Sequence, residues 1–340
     1  MGLSMTNILH PERYQGAKRR YPYFEGWYYK LVDASEQHRV AVICGTYTGP
    51  TPATSHAFVQ FMDGITGEVA YYRYLSEDFR TEAGDFEVHI GPNRFRIDRI
   101  DLQLEGPDRT VEGSLRFHGV TPWPVRLWSP GVMGWYAWVP FMECYHGVLS
   151  LDHSTEGMLR INGTAVDFTG GRGYTEKDWG RRFPVAWVWF QSNHFETPGT
   201  SVTASVAIVP WIRSAFRGFI VGLWHAGNLY RFTTYAGGAI EQLAVDPETV
   251  EWVLRNRRYR LQMCIRRTEA GLLYAPDLED MTGRVAETML STAEVRLTRL
   301  DDPDVQPILA GTARNGALEV VGDINRLTSQ VSPALRRNSG

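Results

Sequence analysis

From Phe24 onward, apolar and polar residues alternate with a period of two over most of the chain. Val40-Ala-Val-Ile-Cys44, Ala57-Phe-Val-Gln-Phe61, Glu68-Val-Ala-Tyr-Tyr-Arg-Tyr74 and Phe86-Glu-Val-His-Ile90 each read as a strand. So do Ile100-Asp-Leu-Gln-Leu-Glu105 and Val111-Glu-Gly-Ser-Leu-Arg-Phe117. Alternation of this kind places one side-chain set on a core and the other on a wetter face. Gly, Pro, Asn or Asp separates the runs at short spacing, which favours antiparallel hairpins. The pattern continues through Trp187-Val-Trp-Phe190, Ser201–Val209, Glu251–Leu254, Tyr259–Ile265, Glu294–Thr298 and Ala317–Gly322. A short helix is expected around Pro11–Lys18, and no long amphipathic helix anywhere. The expected class is all-β.

The second half echoes the first. Arg19-Arg-Tyr-Pro22 returns as Arg181-Arg-Phe-Pro184, with a tryptophan five residues beyond each proline, at Trp27 and Trp189. Phe58-Val-Gln-Phe with Tyr72-Arg-Tyr74 finds a counterpart in Phe219-Ile-Val-Gly with Tyr230-Arg-Phe232. Repetition at this spacing predicts two tandem antiparallel β-barrel or sandwich domains, 20–165 and 166–327, followed by a flexible tail at 328–340. The boundary then lies next to Gly173-Tyr-Thr-Glu-Lys-Asp-Trp-Gly180, and domain junctions are frequent ligand sites.

One stretch breaks the alternation. Residues 122–146 carry four prolines, many aromatic rings and few charges. They predict a crossing segment packed on the core, or a wall of an apolar ligand cavity. Peripheral contact with a membrane surface is a further option, against which the lack of a basic face counts. Seven of the eleven tryptophans fall between Trp123 and Trp189, so the aromatic excess is local.

Charge and cysteine content narrow the function. A formal net charge of −3, with no Lys/Arg run longer than three, gives nucleic acid no footprint. Cys44, Cys144 and Cys264 form no Cys-x-x-Cys pair and read as reduced, buried thiols. No secretory signal and no apolar run long enough to span a bilayer is seen, so a cytoplasmic location is expected. The histidines show no zinc spacing, Gly170-Gly-Arg-Gly173 lacks the setting of a nucleotide-binding turn, and no Gly-x-Ser-x-Gly elbow occurs. No metal and no cofactor is expected.

What remains is carboxylates among aromatic rings: Glu25, Glu143, Glu176 and Asp178. A carboxylic acid in a dry pocket keeps its proton more readily, and ring faces stabilise a nearby cation. That pairing suits acid-initiated chemistry on an apolar, alkene-bearing substrate. The competing reading pairs Glu25 and Glu143 with Arg19, Arg20, Arg181 or Arg182. In an extended segment Glu176 and Asp178 point the same way, each raising the other's pKa, while Lys177 points away and is expected to be dispensable.

These residues lie in motifs through which the chain resembles the tocopherol cyclase family, from about Tyr23 to Gly322. The motifs are Phe24-Glu-Gly-Trp-Tyr-Tyr-Lys30, Trp128-Ser-Pro-Gly131 with Pro140-Phe-Met-Glu-Cys-Tyr-His146, and Gly173–Gly180 with Phe183-Pro184. Trp187-Val-Trp-Phe-Gln-Ser-Asn193 and Ala317-Leu-Glu-Val320 complete them. The resemblance implies a lipocalin-like β fold, kinship with carotenoid hydratases and lipocalin-like Diels–Alderases, and cofactor-free cyclisation of a prenylated quinol. It implies Glu176, Asp178, Glu143 and His146 as catalytic candidates. The corresponding substrate wall is Glu25, Trp27, Tyr29, Trp135 and Tyr174, with Trp179, Trp187, Trp189, Gln191 and Asn193. The plant members carry Asn at the position of Asp178, which favours Glu176 as the acid. The alternatives are a non-catalytic carrier of a hydrophobic isoprenoid or lipid, and a related hydratase or pericyclase.

Overall fold

The computed structural model describes residues 5–17, 21–82, 84–277, 279–301 and 306–329. Contacts divide the chain into two units, Met1–Phe183 with Gly271–Val285, and Pro184–Ala270 with Ala286–Gly340. In the first, β1 (Tyr23–Val32), β2 (Arg39–Thr48), β3 (His56–Asp63) and β4 (Val69–Tyr74) form a meander. A second meander runs through β5 (Phe79–Thr81), β6 (Glu87–Ile90), β7 (Asn93–Arg96), β8 (Arg99–Glu105), β9 (Thr110–His118) and β10 (Cys144–Ile161). After the short β11 (Thr164–Asp167), β12 (Arg172–Gly180) inserts between β1 and β10 and joins the two meanders into one antiparallel sheet.

The second unit repeats the plan. A meander of β13 (Ala186–Ser192), β14 (Ser201–Trp211), β15 (Ser214–His225) and β16 (Asn228–Thr233) is followed by β17 (Ala239–Val245), β18 (Thr249–Arg255) and β19 (Tyr259–Arg266). Beyond β20 (Gly271–Ala275) and β21 (Gly283–Arg299), β22 (Leu309–Gly322) lies between β13 and β21. Each sheet thus has its first strand between its second and its last. Trp27 on β1 and Trp189 on β13 occupy equivalent strands, as do Phe58 on β3 and Phe219 on β15. The protein is all-β, with two large antiparallel sheets.

Neither sheet closes into a barrel: among the described residues β4 and β5 are the edges of one, β16 and β17 of the other. At each would-be seam a 3₁₀ turn, Ser76–Asp78 or Thr234–Ala236, stands where closure would need a hairpin. The division follows Phe183 rather than residue 165, because β12 is hydrogen-bonded on both sides within the first sheet. Pro11–Lys18 is not a helix; its described part is turn and coil, and the helix α1 (Met5–Ile8) precedes it. Thr328 and Ser329 end the helix α2 (Ile324–Ser329), whose Leu327 is buried in the second core, and the rest of the tail lies outside the described residues. Of the three free thiols, Cys44 is buried, Cys144 half-buried and Cys264 exposed.

Period two explains the cores. Trp27, Tyr29 and Leu31 of β1 meet Val42, Val59, Phe61 and Phe95 in the first unit, while Val188 and Phe190 meet Val206, Val221 and Trp252 in the second. Each such side chain contributes about 1.5–3 kcal/mol by leaving water. Tyr28 and Lys30 on the opposite face of β1 are buried too. The hairpin within Gly271–Val285 covers part of that face. Gln60 donates to Tyr274 O at 2.9 Å and accepts from Tyr274 N–H at 2.8 Å, and Met281 packs among Phe24, Tyr47 and Phe58.

A buried histidine gives this unit an acid-sensitive point. The His153 ring lies tilted against Phe117 with ring centres 4.5 Å apart, its Nδ1 lies 2.9 Å from Ser150 Oγ, and a Cβ at Gly173 would fall 2.2 Å from its Nε2. Burial pushes its pKa down to about 3. The unfolded chain takes up this proton near pH 6.5 and the folded chain does not, so stability falls as the pH drops between these values. By pH 4 the loss from this group is on the order of 3 kcal/mol. Urea midpoints followed from pH 7 to about pH 4 are expected to fall more steeply for the native chain than for His153→Gln. Parallel slopes would remove His153 as the cause.

Candidate functional site

The site is built on β12, where alternation sends Tyr174, Glu176 and Asp178 to one face and Thr175, Lys177 and Trp179 to the other. The register sets β1 and β10 against both faces. Gly26 and His146 stand opposite Asp178, Tyr28 and Val148 opposite Glu176, and Lys30 opposite Tyr174. On the other face Trp27 stands opposite Lys177, and Glu25 and Tyr145 opposite Trp179.

The first face carries a row of acid–base groups. His146 Nδ1 lies 3.0 Å from Asp178 Oδ1, and Nε2 lies 3.6 Å from Glu176 Oε2. The first is a hydrogen bond and the second an ionic contact too long to be one. Tyr174 donates its hydroxyl to Glu176 Oε2 at 2.5 Å. Side-chain exposure rises along the row, from 7% at Glu176 through 15% at His146 to 28% at Asp178. Beside it Gly26 faces Gly45, where a Cβ would fall 2.3 Å from Glu25 O, and the ring of Phe58 lies against both glycines. One imidazole and two carboxylates whose ligand atoms lie within 4.8 Å of one another are also a donor set that fits a divalent cation. Sequence spacing gave no sign of it.

The second face is an ion pair sealed in aromatic rings. Lys177 Nζ lies 2.5 Å from Glu25 Oε1, and both side chains are wholly buried. The ammonium stands 4.6 Å from the Trp27 ring centre and 4.7 Å from that of Trp179, and it donates to Pro11 O and Arg13 O. Glu25 accepts from the Gln15 N–H at 2.9 Å and from the Tyr23 hydroxyl. Burial pushes the Glu25 carboxyl up and the Lys177 ammonium down, and each group draws the other back towards its charged form. Residues 11–15 are therefore held in an irregular path, their peptide groups serving this pair instead of a helix.

The candidates separate accordingly. Tyr174, Glu176, Asp178 and His146 share one face. Glu25, Trp27 and Tyr29, expected in a substrate wall, instead point into the first core, where the Tyr29 hydroxyl donates to Arg96 O at 3.0 Å. Trp179 lies on the same side as Trp27, stacked on Tyr145 at 5.5 Å. The cation these two rings embrace is Lys177. Glu143 is held by Arg182, at 3.0 Å from Nε and 2.7 Å from Nη2, which is the pairing weighed against a catalytic role. Glu25 has Lys177 for a partner; of the arginines named for it, the described Arg181 and Arg182 do not pair with it, and Arg19 and Arg20 lie outside the described residues. Trp135 sits half-exposed in the 3₁₀ segment Gly131–Trp138.

Trp187, Trp189, Gln191 and Asn193 belong to the second unit. The first three alternate with core residues Val188 and Phe190 and so occupy the other face of that sheet, where Trp187 donates to Glu319 Oε2 at 2.6 Å. Two residues of the Glu176 face escaped sequence reasoning, Tyr28 and Lys30. The Gly26-x-Tyr28-x-Lys30 alternation was visible, but their side of the sheet is fixed only by the pairing of β1 with β12.

A family model described as tocopherol cyclase-like matches residues 102–322. The Phe24–Lys30 motif lies before that range. The chloroplastic tocopherol cyclase of Zea mays is 25% identical over 209 residues, covering 56% of this chain and 41% of that protein, so the chain spans well under half the length of this curated relative. Among solved structures, CghA with Sch210972 gives a TM-score of 0.55 at 12% identity over 89% of each chain. Kievitone hydratase from Nectria haematococca gives 0.51 at 13% identity, over 88% of this chain and 89% of that one. At such identities these likenesses concern the fold alone, and the fold resembles that of CghA.

Proposed function

The chain belongs to the tocopherol cyclase-like family, and on that premise we propose that it is a cofactor-free enzyme cyclising a prenylated hydroquinone or related isoprenoid by protonating its alkene. The observation that carries this reading is the row Glu176–His146–Asp178, which runs from a buried carboxyl to a part-exposed one through an imidazole. Protonating an unactivated alkene needs a neutral carboxylic acid held against carbon and away from competing water. Glu176 is the most enclosed acid of the row and takes that role. Its proton goes to the less substituted alkene carbon, leaving a tertiary cation. The phenol oxygen closes the ring by forming the C–O bond, and the phenolic proton returns to the Glu176 carboxylate. His146, steadied by Asp178, restores Glu176 whenever that proton is lost to solvent.

The balance is an isomerisation that consumes no water and no redox equivalent. Incubation of the protein with a prenylated hydroquinone in D₂O is therefore expected to give a product isomeric with the substrate apart from one deuterium. That deuterium sits on the carbon next to the new ether carbon. The same product is expected after dialysis against EDTA, because the proposed acid is a proton donor and not a Lewis acid. A product heavier by one water would assign hydration in place of cyclisation. Recovery of unchanged, tightly bound substrate would assign a carrier.

A further inference from the structure

The segment between β9 and β10 carries one formally charged side chain, Arg126, from Gly119 to Met142. It is firmly anchored. Trp123, Val132, Met133, Val139 and Met142 are buried, and Tyr145 donates its hydroxyl to Val139 O at 2.6 Å. Yet the same segment turns apolar side chains outward. Arg126 and Ser129 exchange both backbone hydrogen bonds, at 3.1 and 2.9 Å, so Leu127 and Trp128 form the two-residue tip of a tight turn. Trp138 fixes that tip by donating its indole N–H to Leu127 O at 3.0 Å. Trp128 is 71% exposed, Leu127 57% and Val125 39%.

We propose that this turn is a membrane-docking finger, which inserts Leu127 and Trp128 into the interfacial region of an anionic phospholipid bilayer. Indole, apolar in body with one polar edge, matches the headgroup level of a bilayer. Arg126 stands beside the tip, and exposed Arg181, whose N–H donates to Glu143 O at 2.7 Å, stands at the root of the segment. Both charges suit lipid phosphates, and no acidic residue lies between Gly119 and Met142. A protein partner fits less well. Leu127 and Trp128 together offer roughly 300 Å², against about 800 Å² on each side of a stable protein interface. A loop tip also needs no basic helix face, the feature whose absence counted against membrane contact in the sequence. The proposal does not depend on the chemistry at Glu176.

The test is co-sedimentation of the full chain with extruded vesicles, of phosphatidylcholine alone or mixed with phosphatidylglycerol. The native protein is expected to sediment with the mixed vesicles, and Leu127→Ser/Trp128→Ser to partition at least about tenfold more weakly. Arg126→Gln is expected to weaken binding about fivefold on the mixed vesicles, with no effect on phosphatidylcholine. Because the tip is exposed, both variants should keep the native unfolding midpoint. The proposal is overturned if the native chain binds neither vesicle, or if the double variant binds as the native chain does. It is overturned equally if light scattering finds a native dimer that the double substitution dissociates, since the tip then serves a second copy.

Discussion

Replacing Lys177 with methionine is expected to destabilise the protein by about 3–5 kcal/mol, read as a fall in the urea midpoint. The loss does not come from the ion pair's intrinsic strength, which desolvation largely offsets. It comes from the Glu25 carboxylate left with no cation at a position with no access to water. Glu25→Gln should cost a similar amount by stranding the ammonium between Trp27 and Trp179. The double variant Lys177→Met/Glu25→Leu should recover part of either loss, because no buried charge is left alone, while the Pro11 and Arg13 carbonyls, the Gln15 N–H and the Tyr23 hydroxyl still lose their partners. Additive losses, or a single loss under about 1 kcal/mol, would mean the pair is solvated and the seal formed by residues 11–15 is open. Lys177→Ala is therefore no silent control for a substitution at Glu176, although β12 does point Lys177 away from the carboxylates.

That reversal marks where the sequence stops being readable. Alternation along Gly173–Gly180 is a local property, and it places Glu176 and Asp178 together and Lys177 opposite. What each side meets depends on β12 lying between β1 and β10, a pairing across a large sequence separation that hydrophobic period does not encode. Glu25 thus reads as a candidate beside arginines, whereas the register delivers Lys177 to it. His146 is a candidate through the resemblance alone, with no partner marked by its spacing, whereas the β10 register sets it against Asp178. The tandem plan was legible because repeated motifs survive on equivalent strands. The open seams were not, since the 3₁₀ turns at Ser76–Asp78 and Thr234–Ala236 carry no distinctive residue pattern. The Leu127–Trp128 tip was hidden in the same way, because a proline- and tryptophan-rich stretch reads as buried until its turn is located.

The second large effect concerns the acid itself. Glu176→Gln keeps the size of the side chain and the oxygen that accepts from Tyr174, but has no proton to give to carbon. Asp178→Asn leaves Glu176 in place and acts on it through the orientation of His146, so it should lower turnover less. The decisive measurement is the kcat of Glu176→Gln on a prenylated hydroquinone, taken alongside the affinity of the same variant for the uncyclised substrate. The account predicts a fall in kcat of about 10²–10⁴-fold with binding unchanged, and a fall of less than about tenfold would contradict it.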